Sequence, residues 1–189
     1  MAPIDNCHFI HKTMNGFNKP WAIAGGWATD LFLGRTTRTH DDIEIMVFRK
    51  DQLNVQDYLH GWSFKKVDKG KFAHWEKGEL LNPPIHEAYA ENENEKIEIL
   101  LNERDTHNWV YRRDHRIRRD VNKAILFTNN GIPFLSPEIV LLYKSKHPRP
   151  KDEQDFRNVY KQMSVEQKSW LREALNIVYT GHDWIELLN

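Results

Sequence analysis

The sequence predicts an α+β fold, close to α/β, in which a mixed β-sheet flanked by helices is followed by a small C-terminal helical part. Three observations predict it. Two runs, Asp42–Phe48 and Lys96–Leu101, set charged residues against isoleucines with period two, as strands with one covered face do. Apolar residues at helical spacing lie before and between such runs. From Ser136 onward, helix starts follow one another. The expected division is 1–120 for the sheet-bearing core and 121–189 for the helical part packed against it, with the change near 120–136.

At 189 residues the chain is long enough to bury a core without staples. Acidic and basic residues balance at 27 each, which argues against a dedicated nucleic-acid or membrane binder. The single cysteine, Cys7, rules out an intrachain disulfide and fits a reducing compartment. The start, MAPIDNCHF, has no basic segment followed by an apolar core, so no secretory signal is expected. No apolar run reaches transmembrane length. A cytoplasmic protein is the expectation; the oligomeric state is left open.

In chain order, Phe9, Ile10, Met14 and Phe17 suggest a helix over 5–17, stopped by Gly16, Asn18 and Pro20. Trp21–Ala24 is a short strand. Gly25-Gly26 follows, either as a tight turn or as backbone that approaches a phosphate where the next helix starts. Residues 27–33 read as that helix, with Gly34 at its end. Asp30 is either a surface residue or the anchor of a nearby loop. Arg35 and Arg38 can serve phosphates or bind carboxylates structurally, and His40 either orients the loop or lies on the surface. Residues 41–48 form the acidic strand. Asp51 is expected to cap a helix reaching about His60. Trp62–Phe64 and Phe72–Trp75 read as a hairpin, Ile85–Ala90 as a further strand, and Glu91–Glu95 as an acidic turn.

Residues 102–120 hold six arginines with Trp109 and Tyr111 interleaved, which suits either an anionic ligand or a salt-bridged solvated face. Ser136 with Pro137 starts a helix running toward Lys146. His147-Pro148-Arg149-Pro150 breaks it. Asp152 is expected to open the next helix. Ser164 with Gln167 has the spacing of a capping box, and Gly181 precedes a short helical tail.

The chemistry rests on the acids. On a strand, Asp42 and Glu44 point one way while Ile43, Ile45 and Val47 point the other. Two neighbouring carboxylates repel, so the pattern calls for a cation between them. In the second run, Ile97, Ile99 and Leu101 share a face, which puts Glu98 on the side of the first two acids if the strands are neighbours. Three carboxylates make an oxygen site suited to magnesium, and such ions stabilise phosphoryl or nucleotidyl displacement.

The run GGWATDLFLGRTTRTHDDIEI resembles the motif of the nucleotidyltransferase superfamily, which has a glycine pair, a short helix and then Asp-x-Asp or Asp-x-Glu on a strand. More narrowly, it resembles the aminoglycoside 2''-adenylyltransferase type of antibiotic nucleotidyltransferase, through Gly25, Gly26, Trp27, Leu33, Gly34, Arg35, Arg38, His40, Asp41 and Asp42. Looser similarity extends to Glu98, Lys144 and the stretch Lys151–Phe156. The resemblance implies a nucleotidyltransferase fold, with 1–120 as its core domain. It also implies magnesium, two ions, and ATP or another nucleoside triphosphate as co-substrate.

By the same resemblance, Asp42, Glu44 and Glu98 are the metal-holding and catalytic acids, with Glu98 a candidate base. Gly25 and Gly26 lie against the triphosphate, Arg38 is a further nucleotide contact, and Lys144 touches phosphate or is simply a surface lysine. The drug-modifying members favour Asp where this chain has Glu44 and Glu98, so each side chain is one methylene longer here. The implied reaction moves a nucleoside monophosphate to a hydroxyl of a small molecule, with an aminoglycoside-like compound among the candidates. A protein side chain as acceptor and a catalytically inactive nucleotide-binding protein are the alternatives. Glu91–Glu95 either attracts a polycationic acceptor or is merely solvated.

Overall fold

The structure, a computed structural model, describes residues 5–188. Met1–Ile4, on which part of the reading of the chain start falls, and Asn189 lie outside the described residues. Helix α1 (Asp5–Thr13) buries Cys7 and Ile10, and the turn after it buries Met14 and Phe17. Phe9, expected on that face, is exposed, because it lies about 100° round the helix from Ile10. Strand β1 (Trp21–Ile23) leads through Ala24 into α2 (Gly25–Leu33). The glycine pair is thus the first turn of the helix rather than a loop before it. Gly34, at φ 66°, ends α2 in the left-handed conformation that favours glycine.

Strand β2 spans Ile43–Phe48, so Asp42 sits in the bend before it rather than on it. A 3₁₀ turn, Arg49–Asp51, precedes α3 (Gln52–Tyr58), and Asp51 makes no side-chain capping bond. The hairpin of β3 (Ser63–Asp68) and β4 (Lys71–His74) turns at Lys69-Gly70, both at positive φ, as a two-residue turn between twisted strands requires. Next come β5 (Glu87–Glu91) and β6 (Lys96–Arg104), joined by the acidic turn. The arginine-rich segment, left without strands by its sequence, holds β7 (Asn108–Val110) and β8 (Arg118–Asp120). Trp109 and Tyr111 are fully buried there among Tyr143 and Trp170, so they pack the interior instead of offering a stacking surface.

A short α4 (Val121–Ala124) connects to β9 (Ile125–Phe127) and β10 (Pro133–Leu135). The main sheet runs β4-β3-β5-β6-β2-β1-β10-β9, with β7 and β8 extending from β6. The pairs β2–β6 and β1–β10 are parallel and the remaining neighbours antiparallel, so the sheet is mixed. Sheet structure therefore continues through Leu135, past residue 120, because Phe134 pairs with Ile23 at the heart of the sheet.

Four helices follow: α5 (Pro137–Lys144), α6 (Pro150–Val159), α7 (Val165–Val178) and α8 (Trp184–Leu187). Ser136 holds the N-cap position of α5 without a side-chain capping bond. Arg149, not Asp152, caps α6; Asp152 reaches back from the third helical position to the Arg149 amide. The Ser164–Gln167 capping box forms as the spacing predicts. Trp184 stacks on Phe156 at 4.3 Å, joining α8 to α6. Among the described residues no helix is long and apolar enough to cross a membrane.

Candidate active site

The centre of the site is the register of two parallel strands. Glu44 of β2 pairs directly with Glu98 of β6, flanked by Ile43–Ile97 and Ile45–Ile99, whose side chains fill the opposite face. Neighbouring strands lie about 4.8 Å apart, so the two carboxylates share one face at close range. The Ala24 amide donates to the Glu44 carbonyl at 2.8 Å, which fixes the start of α2 beside the pair. The Gly26 amide donates to the Glu44 carboxylate, as a helix N-terminus favours. Gly25, at φ 58°, lies so close that an added Cβ would overlap the Glu44 carboxylate. A Cβ on Gly26 would run into His40 and Arg38. The glycine pair is what lets helix and acid touch.

Asp42, Glu44 and Glu98 line one cavity of about 280 Å³, together with Gly26, Arg38 and Lys144. The structure thus brings the sequence-derived candidates to one place, although Asp42 reaches it from a bend. Burial, with Glu44, Glu87 and Asp42 nearby, pushes Glu98 up to about 7. Burial also raises Glu44, against the pull of Lys144 and the Gly26 amide. As placed, no three acids among the described residues close on one point; the half-exposed Asp42 leans toward Lys96 at 3.7 Å. The donor set still fits hard divalent cations. It is all carboxylate oxygen, two of its members repel one another, and the third lines the same cavity.

The cations are more constrained than the sequence suggests. Arg38 forms a two-pronged pair with Asp155 at 3.0 and 2.9 Å, and that bond raises its pKa. Lys144 is only 11% exposed and bridges Asp152 at 2.8 Å and Asp155 at 3.0 Å, so it is no surface lysine. Burial opposes the charge on Asp152, yet hydrogen bonds from Arg149 and Lys144 hold it well below the usual carboxylate range. Asp155 falls within the stretch Lys151–Phe156 that carries the looser resemblance, which gives it no role, and the sequence marks Arg149 only as part of a helix break. The acid spacing of Lys151–Phe156, three residues apart on one helix face, was the available signal.

Asp30 is the loop anchor. Thr37 donates to it through its amide (3.1 Å) and hydroxyl (2.6 Å), and His40 bonds it at 2.6 Å while lying 4.4 Å from the Trp27 ring. His40 therefore orients the loop that delivers Asp41 and Asp42. In the acidic turn, Glu91 pairs with Lys65, and Asn92 accepts the amides of Asn94 and Glu95.

A second cavity, about 360 Å³, shares Glu44, Lys144 and Arg149 with the first. It is lined by Leu100, Tyr143, His86, Arg112 and Arg113 among others.

Residues 7–159 match the family model described as aminoglycoside-2''-adenylyltransferase. The 2''-aminoglycoside nucleotidyltransferases of Escherichia coli and Klebsiella pneumoniae are each 39% identical over 70 residues, 34% of this chain. The match spans 40% of the length of those curated relatives. Among solved structures, ANT(2'')-Ia in complex with adenylyl-2''-tobramycin superposes with a TM-score of 0.62 at 18% identity, covering 93% of this chain and 99% of that one. The lincosamide adenylyltransferase LnuA, lincomycin-bound, gives 0.60 at 19%, covering 86% and 100%. These likenesses establish a nucleotidyltransferase fold.

Proposed function

Because the chain belongs to the aminoglycoside-2''-adenylyltransferase family, we propose that it transfers AMP from ATP to a hydroxyl of a small acceptor molecule. The observation that carries the reading is the in-register pair Glu44–Glu98 with Asp42 on one cavity at the start of α2. In this reading Asp42, Glu44 and Glu98 would hold two magnesium ions, which would supply charge neutralisation to the triphosphate. The amide-rich start of α2 at Gly25 and Gly26 faces the phosphates. Lys144 stands at the wall of the same cavity, its charge shared with Asp152 and Asp155. Arg38 contributes chiefly by fixing Asp155.

The acceptor oxygen attacks the α-phosphorus, the bond to the β-phosphate oxygen breaks, and pyrophosphate leaves. Glu98 takes the hydroxyl proton, as a carboxylate placed beside the reacting oxygen can. Acceptor drugs of the kind named for the relatives, an aminoglycoside or a lincosamide, are the first compounds to try.

The test is magnesium-dependent pyrophosphate release from a panel of nucleoside triphosphates and hydroxylated acceptors. Loss of release in Glu44→Gln and Glu98→Gln, with the fold intact, is the expected result. Label transferred to protein would identify a protein acceptor instead, and ATP binding without release would make the chain a nucleotide-binding protein.

A further inference from the structure

The cavity beyond Glu44 has an uneven charge distribution. Its far end carries Arg112 and Arg113, whose guanidinium carbons lie 5.6 and 5.4 Å from the centre of the Tyr143 ring. Arg113 donates to the Tyr111 hydroxyl at 3.1 Å and the Tyr143 carbonyl at 3.2 Å, both neutral. Three other arginines of the segment have acids: Arg116 pairs with Asp114, Arg118 with Asp105, and Arg119 with Glu138 and Glu166; Arg104 donates to the Asp105 and Thr106 carbonyls. Among the described residues no carboxylate forms an ion pair with Arg112 or Arg113.

His86, on the same wall, accepts a hydrogen bond at Nδ1 from Arg49 at 2.8 Å, which leaves Nε2 as a donor. Burial, then Arg112 and Arg49, lower its pKa to about 4, so it is neutral in ordinary buffers. Three acids line this cavity: Asp152, Glu87 and, where it meets the cavity beside Asp42, Glu44. Asp152 sits between Lys144 and Arg149, and Glu87 accepts from the Tyr89 hydroxyl at 2.8 Å. Leu100 and Val140 add apolar wall, and the volume suits a small ligand.

We propose that Arg112 and Arg113 bind a carboxylate or phosphate on the acceptor, so that the substrate is an anionic hydroxylated molecule and not a polycation. Two guanidiniums without a counter-ion favour a planar oxyanion through paired hydrogen bonds, and they repel a polyamine entering the same space. Lys144 and Arg149 line both this cavity and the one beside Asp42, each held by Asp152, whereas of the two cavities Arg112 and Arg113 line only this one. This inference rests on the transfer reading above, and its test keeps the two apart.

Pyrophosphate release is measured with magnesium and ATP for glucuronate, glucose 6-phosphate, glucose, glucosamine and tobramycin. The anionic sugars are expected to show a KM at least tenfold below glucose. In Arg112→Gln/Arg113→Gln that preference disappears, with KM for ATP within twofold of wild type, and Arg113→Lys retains most of it. A wild-type preference for glucosamine or tobramycin, or equal use of charged and neutral sugars, overturns the proposal. A rise in the KM for ATP alone also overturns it, by assigning the arginines to the triphosphate. Absence of release with every acceptor sinks the transfer reading instead. Calorimetric titration with inorganic phosphate, without ATP, then decides the anion site: binding by wild type and at least tenfold weaker binding by the double variant sustain it, and equal or absent binding ends it.

Discussion

Gly25→Ala tests the contact on which the site is built. Gly25 combines φ 58° with a Cβ direction aimed at Glu44. The left-handed backbone costs a residue with a Cβ about 1–2 kcal/mol. The overlap is a separate cost. The new methyl would occupy the position of the Glu44 carboxylate, with Oε1 2.9 Å away and Oε2 and Cδ closer still. Overpacking of this kind costs about 1–3 kcal/mol. Glu44 cannot escape freely, because its backbone is held between β1 and β6.

The total is about 2–5 kcal/mol, a large share of the roughly 5–15 kcal/mol that holds a domain folded. Urea denaturation of wild type, Gly25→Ala, Glu44→Ala and the double variant separates the two parts. Shortening Glu44 relieves the overlap and leaves the backbone cost, so the cycle should show a coupling of about 1–3 kcal/mol. Pyrophosphate release by Gly25→Ala should fall even at temperatures where it is folded, because the displaced carboxylate leaves its register with Glu98. A Gly25→Ala protein within about 0.5 kcal/mol of wild type, with unchanged turnover, would refute the packing argument.

Three further outcomes follow from the site. Glu98 is raised from 4.5 to about 7, so the folded state holds its proton more tightly than the unfolded chain does. That stabilisation is complete below pH 4.5 and is lost as pH rises through 7. Glu98→Gln should therefore match wild type near pH 4 and exceed it at pH 8, by about 1–2 kcal/mol after discounting for solvent screening, as read by thermal denaturation across pH. Arg38→Ala leaves the fully buried Asp155 with Lys144 alone and should cost about 3 kcal/mol in a urea titration. Removing divalent cations with a chelator should abolish pyrophosphate release, with magnesium restoring it; Asp42→Asn should lower the restored rate roughly a hundredfold or more, with an unchanged urea midpoint.

Much of this site could be read from local pattern. The alternation around Glu44 and Glu98 predicted their common face, and the glycine pair predicted a close approach. What local pattern could not supply was partnership over distance. Arg38 and Asp155 are 117 residues apart, so nothing in either neighbourhood announces the pair. The β10 strand is three residues long and begins with proline, too short for a period to show; only its pairing with Ile23 makes it a strand. Asp42 extends the alternation by one residue, yet it lies in a bend, where its carbonyl accepts the Trp27 indole at 3.1 Å.

The C-terminal helices explain how a chain of zero net charge builds a strongly polarised cleft. Helix α6 presents Asp152 and Asp155, and both are spent on holding cations in place: Arg149 and Lys144 by the first, Arg38 and Lys144 by the second. Among the described residues the acids of the sheet, Glu44 and Glu98, form no ion pair and are raised instead. Positive charge is therefore fixed by rigid pairs on one wall, while the opposite wall keeps carboxylates with a strong demand for cations. A freely moving lysine could swing over and neutralise Glu44, cancelling the affinity for metal proposed for the site. Tethered between two aspartates, Lys144 is close enough to lower the pKa of Glu44 but held too firmly to replace an ion there. The same logic makes the helical part a component of the site rather than a cover over it, since without α6 the cations of the cleft would lose the acids that position them.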